Sequence, residues 1–204
     1  MNQEFELVEG VVLGEAALEG VKTAYSVGEN SFIDSVLSAE LIRPFLEQGV
    51  KQLPEPHFFF IELPCTEDEE KALRKSKSAP SHYKVYYLDN CTEEVSQAIL
   101  KRYGALLIND GLTRFGFGSN LSGEEIYVMD YQQVQVYADD LRFIPLFETL
   151  GAERVSELRT PWDNFTPENV GVSAAVEIEG ETTSDIPENL SEEGMYLAET
   201  RESL

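Results

Sequence analysis

Residues 89–118 read DNCTEEVSQAILKRYGALLINDGLTRFGFG, and the fold class turns on how that stretch divides. Asp89, Asn90 and Thr92 can accept hydrogen bonds from free helix N–H groups, and Glu93 and Glu94 suit the positive end of a helix dipole. A helix therefore starts near Thr92. Val95, Ala98, Ile99 and Tyr103 recur at three- and four-residue spacing, and Gly104 can take the left-handed conformation that closes a helix. The spacing predicts one buried side and a stop near Tyr103. Ala105 to Ile108 is a short apolar run, Asn109-Asp110-Gly111 tolerates positive φ, and Leu112 to Phe117 leads away. Together these predict a hairpin.

Phe115 and Phe117 then share one strand face, while Gly116 and Gly118 leave the other bare, the mark of a bulge or a close backbone approach. Residues 119–123 form a loop. Glu125 to Tyr137 alternates as one bent strand or two short ones, with Gln133 and Gln135 on a wet face and Val134 and Val136 on a dry one. Asp139 or Asp140 caps a second helix in which Leu141, Ile144 and Leu150 face the core, and Gly151 ends it. Pro145 shortens or distorts that helix.

Outward from this centre, residues 4–28 are punctuated by glycine and lean to strand over helix. Asn30-Ser31 reads as the cap of a helix with apolar positions Phe32, Ile33, Val36, Leu37 and Leu41, which Pro44 bends or ends. Phe45 and Leu46 continue it for a turn before Gly49. His57 to Leu63 is an apolar run bounded by proline, a central strand buried on both faces, and His82 to Leu88 is its partner. Between them, Pro64 to Ser81 carries acid before base at helical spacing, either a short exposed helix or a solvated loop.

The chain has 204 residues, 42% of them hydrophobic, enough for one domain with a real core. No apolar run approaches the length of a membrane span, and Met1-Asn2-Gln3-Glu4 lacks the basic start of a secretory signal. These features predict a soluble, cytoplasmic protein. Two cysteines make no disulfide framework. The 38 acidic against 15 basic residues give a net charge of −23, which disfavours nucleic-acid phosphates and anionic membranes as partners. Solubility is one reason for such charge. The sharper reading is an acidic surface that meets a basic protein partner.

His57, Cys65, His82 and Cys91 flank the two central strands and raise the question of zinc. In an antiparallel pair, His57 lies near Cys91 and Cys65 near His82, at opposite ends of a strand about 25 Å long. Four ligands then cannot converge, and neither metal nor cofactor is expected. Cys91 at a helix N-terminus is either a thiol of lowered pKa or a small packed residue, and the packed role is preferred. Gly116, Gly118 and Gly123 lack the spacing, helix and lysine of a phosphate-binding loop. Glu124, Glu125, Asp130, Asp139 and Asp140 remain as candidate partner-binding carboxylates. By alternation, Glu124 and Asp130 take one face and Glu125 the other.

Residues 160–167 hold the single tryptophan. Trp162 is expected to pin this segment to the body, and would be a binding anchor if exposed. Residues 172–204 carry nine acidic side chains and one arginine among sparse apolar ones, the composition of a flexible acidic tail. Residues 107–118 together with 160–166 resemble small bacterial proteins of the toxin-immunity type, which implies a toxin partner but marks no functional residue.

The sequence thus predicts an α+β domain over residues 1–170, a mostly antiparallel sheet with helices packed chiefly on one face, and a tail over 171–204. Its expected function is a non-catalytic protein-interaction module. The alternative is a small hydrolase or transferase using carboxylates near residues 116–130. A pocket holding two or more of Glu124, Glu125, Asp130 and Asp139 favours the enzyme, and a convex acidic face without one favours binding.

Overall fold

The computed structural model describes residues 5–76 and 79–203. In chain order the elements are β1 (Val11–Val12), β2 (Ala24–Val27), β3 (Ile33–Val36), α1 (Ala39–Gly49), β4 (His57–Pro64), α2 (Glu67–Leu73), β5 (His82–Cys91) and α3 (Glu93–Asn109). They continue with β6 (Arg114–Ser119), β7 (Glu125–Val128), β8 (Gln133–Tyr137), α4 (Ile144–Thr149), β9 (Glu153–Arg154), β10 (Val172–Ser173), α5 (Ile186–Asn189) and β11 (Tyr196–Glu202). Nine strands make one sheet in the order β11-β5-β4-β6-β7-β8-β3-β2-β9, antiparallel except for the β2–β9 pair. The fold is α+β, and β1 and β10 form a separate small ladder.

Period-two alternation divides the sheet into two faces. Phe59, Ile61 and Leu63 of β4, Phe115 and Phe117 of β6, Ile126 and Val128 of β7, and Val134 and Val136 of β8 belong to the inner face. They share one core with Ile42, Phe45 and Leu46 of α1, Ile99, Leu100 and Leu107 of α3, and Phe147 of α4. Each such side chain contributes about 1.5–3 kcal/mol of burial, so the helices are fixed to this face. No described helix is long and apolar enough to cross a membrane.

The decisive stretch divides differently from expectation. The helix at Thr92, whose hydroxyl accepts from the Val95 N–H, passes through Gly104 and ends only at Asn109. Leu106, Leu107 and Ile108 keep helical spacing and are buried, so core burial outweighs the glycine. Gly104 instead lets α1 approach: a Cβ there would stand 3.0 Å from Arg43 Nη2. Asp110 has φ −71° and makes no left-handed turn. There is consequently no 105–117 hairpin, and β6 pairs with β4 and β7.

Asn30 and Ser31 do not cap a helix. Both take positive φ, 52° and 60°, and turn the chain between β2 and β3. The helix begins at Ala39, contains Pro44, and reaches Gly49. Residues 125–137 form two short strands, β7 and β8, paired antiparallel. Pro145 lies in the first turn of a short α4, where its missing N–H costs nothing, and Leu141 is exposed. Acid before base in residues 64–81 does build a helix, α2, closed by a Thr66–Glu69 capping box.

The acidic segment expected to be a flexible tail is integrated. Strand β11 lies along the edge of β5, from Tyr196 opposite Tyr87 to Glu202 opposite His82, while Val176, Ile186 and Met195 are buried. Composition misled because an edge strand gains its order from backbone pairing, which needs few apolar side chains. The central pair, β4 with β5, has the anticipated geometry: His57 stands opposite Cys91, and the Cys65 N–H donates to the His82 carbonyl at the far end. Among the described residues, no group of three or more His, Cys, Asp and Glu side chains is placed to hold a metal ion.

Candidate functional site

The outer face of the sheet holds the unusual chemistry. On β4 it receives Phe58, Phe60 and Glu62, and on β6 Gly118, Gly116 and Arg114 stand opposite them in register. Strand β7 adds Glu125 and Tyr127, β8 adds Tyr137 and Gln135, β5 adds Tyr87 and Tyr83, and β11 adds Glu199 and Arg201. The glycines make room for rings. A Cβ on Gly116 would lie 2.3 Å from the Ile126 carbonyl oxygen and 2.4 Å from the Phe60 ring, and one on Gly118 would lie 2.1 Å from the Phe58 ring. Phe60 consequently packs against Phe58, Tyr87 and Tyr127, at centroid separations of 6.1, 5.7 and 5.3 Å.

Beside these rings lies a buried ionic network. Glu62 is 1% exposed, and its Oε1 accepts from the Arg201 guanidinium. Arg114 binds Asp130 through Nη2 at 2.6 Å and Nε at 3.1 Å, and stacks on Tyr83 at 4.6 Å. Its Nη1 is 3.9 Å from Glu62 Oε2. Burial opposes the Arg114 charge, but the bonds to Asp130 outweigh it and the pKa is raised. Two buried polar atoms here make no hydrogen bond, Glu62 Oε2 and the Tyr127 hydroxyl. Burial, then the charge of Glu62, raises the Tyr127 pKa.

Glu125 completes the arrangement. Its residue stands opposite Gly118 on one side and Tyr137 on the other. Burial first, and the Glu62 charge second, push its carboxyl from the ordinary 4.5 to about 7, with Arg201 offsetting part of the rise. Among the described residues it has no hydrogen bond and no ion pair. A carboxyl perturbed by desolvation and a specific charge neighbour, without a structural partner, has the character of a functional group.

Glu124, Asp139 and Asp140 are placed apart from this centre. Glu124 is 4% exposed and holds the loop before β7: Oε1 accepts from the Asp139 N–H at 3.1 Å, and Oε2 from Ser122 Oγ at 2.9 Å and Arg142 Nη2 at 2.5 Å. Burial works against its charge, but these bonds dominate and lower its pKa. Asp140 accepts from Arg142 Nη1 at 2.9 Å. A hollow of about 310 Å³ is lined by Glu124 and Asp139 with Phe32 and Tyr137, so the pocket that favours the enzyme alternative exists. Its buried carboxylate, however, is already engaged by Arg142.

Strand alternation ends at Met129. The turn there brings Asp130 to Arg114, on the same face as Glu125 rather than the opposite one. Trp162 is 51% exposed and meets Tyr131 and Phe165 edge to face at 4.8 and 5.3 Å. It pins its segment to the body through Tyr131 and still presents half its surface. Cys91 is packed, with burial raising its thiol to about 11.

Sequence reasoning missed Glu62, Arg114, Tyr127 and Arg201. Glu62 gave a signal, a lone charge inside an apolar central strand, and Arg114 is the single basic residue between Arg102 and Arg142. Compared with protein-family models, curated proteins and solved structures, the chain matches none of them.

Proposed function

We propose that this chain is a non-catalytic protein-interaction module that presents the outer face of its sheet to a basic protein partner. The observation that carries the reading is the half-buried, unpaired Glu125 among aromatic rings, on a chain of net charge −23. Among the described residues the carboxylates on this face include Asp34, Glu62, Glu125, Asp130 and Glu199, and its guanidinium groups include Arg114 and Arg201. Aromatic rings beside desolvated charge are the composition of binding hot spots. The likeness of residues 107–118 and 160–166 to toxin-immunity proteins makes a basic toxin the partner class, and neutralising it the role.

Attraction between such surfaces accelerates encounter and is screened over about 10 Å at 0.1 M salt. A partner recovered by pull-down should associate more slowly as salt rises from about 50 to 500 mM, with dissociation changing less. Association that ignores salt over that range overturns the reading.

A further inference from the structure

Where β8 ends, three chain segments enclose the hollow of about 310 Å³. They are the turn between β2 and β3, with Glu29, Asn30 and Phe32, the loop before β7, with Glu124, and the segment from Tyr137 to Asp139. Tyr137 stands opposite Glu125 in the sheet, so the hollow and the outer face share its ring. That ring is fixed on two sides: it packs on Phe32 with centroids 4.8 Å apart, and its hydroxyl donates to Gln135 Oε1 at 3.0 Å. It is nevertheless 45% exposed, which leaves aromatic surface free for a ligand.

Charge selects the ligand. None of the lining residues is basic. Glu124 is occupied by Arg142 and the Asp139 N–H, whereas among the described residues the side chains of Glu29, Asn30 and Asp139 make no hydrogen bond or ion pair. No group of three or more His, Cys, Asp and Glu side chains among the described residues is placed to hold a metal ion, so these acceptors are spread around the hollow instead of converging on one point. Spread acceptors beside a ring suit a planar cation with several donors. Guanidinium has five N–H donors in a fixed plane and stacks on aromatic faces, while an ammonium is a compact point charge. The volume lies at the small end for ligand sites, the room for a single side chain.

We propose that this hollow seats one arginine side chain of the basic partner, its plane against the Tyr137 ring and its N–H groups donating to Glu29, Asp139 and Asn30 Oδ1. This rests on the binding reading above and names the partner's anchoring residue. A partner segment lying on the outer face reaches the hollow at Tyr137, and the ring makes the site prefer arginine to lysine.

The test uses the full chain and two capped peptides, hexa-arginine and hexa-lysine, with affinity measured by calorimetry at low salt. Wild type should prefer hexa-arginine by about two- to fivefold, the worth of an exposed cation–ring contact. Tyr137→Leu leaves the charge unchanged and should abolish the preference, whereas Tyr137→Phe keeps the ring and should retain it. A Glu29→Gln, Asp139→Asn double variant should weaken hexa-arginine about fivefold. A Glu67→Gln, Asp68→Asn double variant on α2 removes the same charge elsewhere and should cost less than about twofold. If the peptides bind in a salt-sensitive way but Tyr137→Leu keeps the wild-type preference, or the two double variants match, the arginine site is overturned and the acidic-surface reading stands. The same holds if wild type shows no preference. If neither peptide binds wild type at low salt, both are overturned.

Discussion

Replacing Glu125 with glutamine should make the protein more stable, and only above a definite pH. In the fold the carboxyl is pushed up to about 7 from its ordinary 4.5, which at about 1.4 kcal/mol for each tenfold change in proton affinity sets a ceiling of roughly 3 kcal/mol. Solvent reaches part of the side chain, so about 1–3 kcal/mol is expected. The direction follows from proton linkage. Below about pH 4.5 both folded and unfolded chains carry the proton, and the site contributes no difference. Between about 4.5 and 7 the folded chain holds a proton that the unfolded chain has lost, so stability falls as pH rises, and the full penalty persists above 7. Glutamine has no charge to bury. Thermal unfolding of both proteins near pH 8 and near pH 4 should therefore show the variant melting roughly 3–10 °C higher at the first and level with wild type at the second. Subtracting wild type removes the pH dependence of every other group. An equal gap at both pH values, or a variant less stable near pH 8, would refute the reasoning that Glu125 is a desolvated, unpaired carboxylate.

Truncation after Gly171 removes β11 from the edge of β5 together with buried Val176, Ile186 and Met195, and should lower the melting temperature by more than about 5 °C. Gly116→Ala should destabilise by at least about 2 kcal/mol in urea unfolding, because the new methyl meets the backbone oxygen of Ile126 as well as the Phe60 ring. Glu124→Ala leaves Arg142 and the Asp139 N–H without their acceptor, and should cost about 2–4 kcal/mol while leaving affinity for a basic partner unchanged in the salt-independent part.

The layer arrangement was readable because it rests on local period. The apolar run at 57–63 and the alternation in 115–118 and 125–137 marked the strands, and the bare Gly116 and Gly118 announced the close approach that the Phe60 and Phe58 rings make. What failed did so where tertiary packing overrode a local signal. Gly104 looked like a helix stop but serves the crossing of Arg43 over α3. Asn30 and Ser31 looked like a cap but serve a turn between strands. Residues 196–202 looked too polar to order, yet an available sheet edge orders them. The site was legible only as single residues. Glu125 stood among the candidate carboxylates, but its neighbours Glu62 and Arg201 come from strands 63 residues before and 76 after it, and nothing local specifies that register.

The central claim is that binding occurs on the outer sheet face and not on the acidic loops. Mapping backbone amide shifts of the full chain while the hexa-arginine peptide is titrated in tests this most directly. The expected result is a contiguous set of changes at Phe58, Phe60, Glu62, Arg114, Glu125 and Tyr127. Changes confined to Asp139, Asp140 and the α2 acids, with β4, β6 and β7 unmoved, would contradict it.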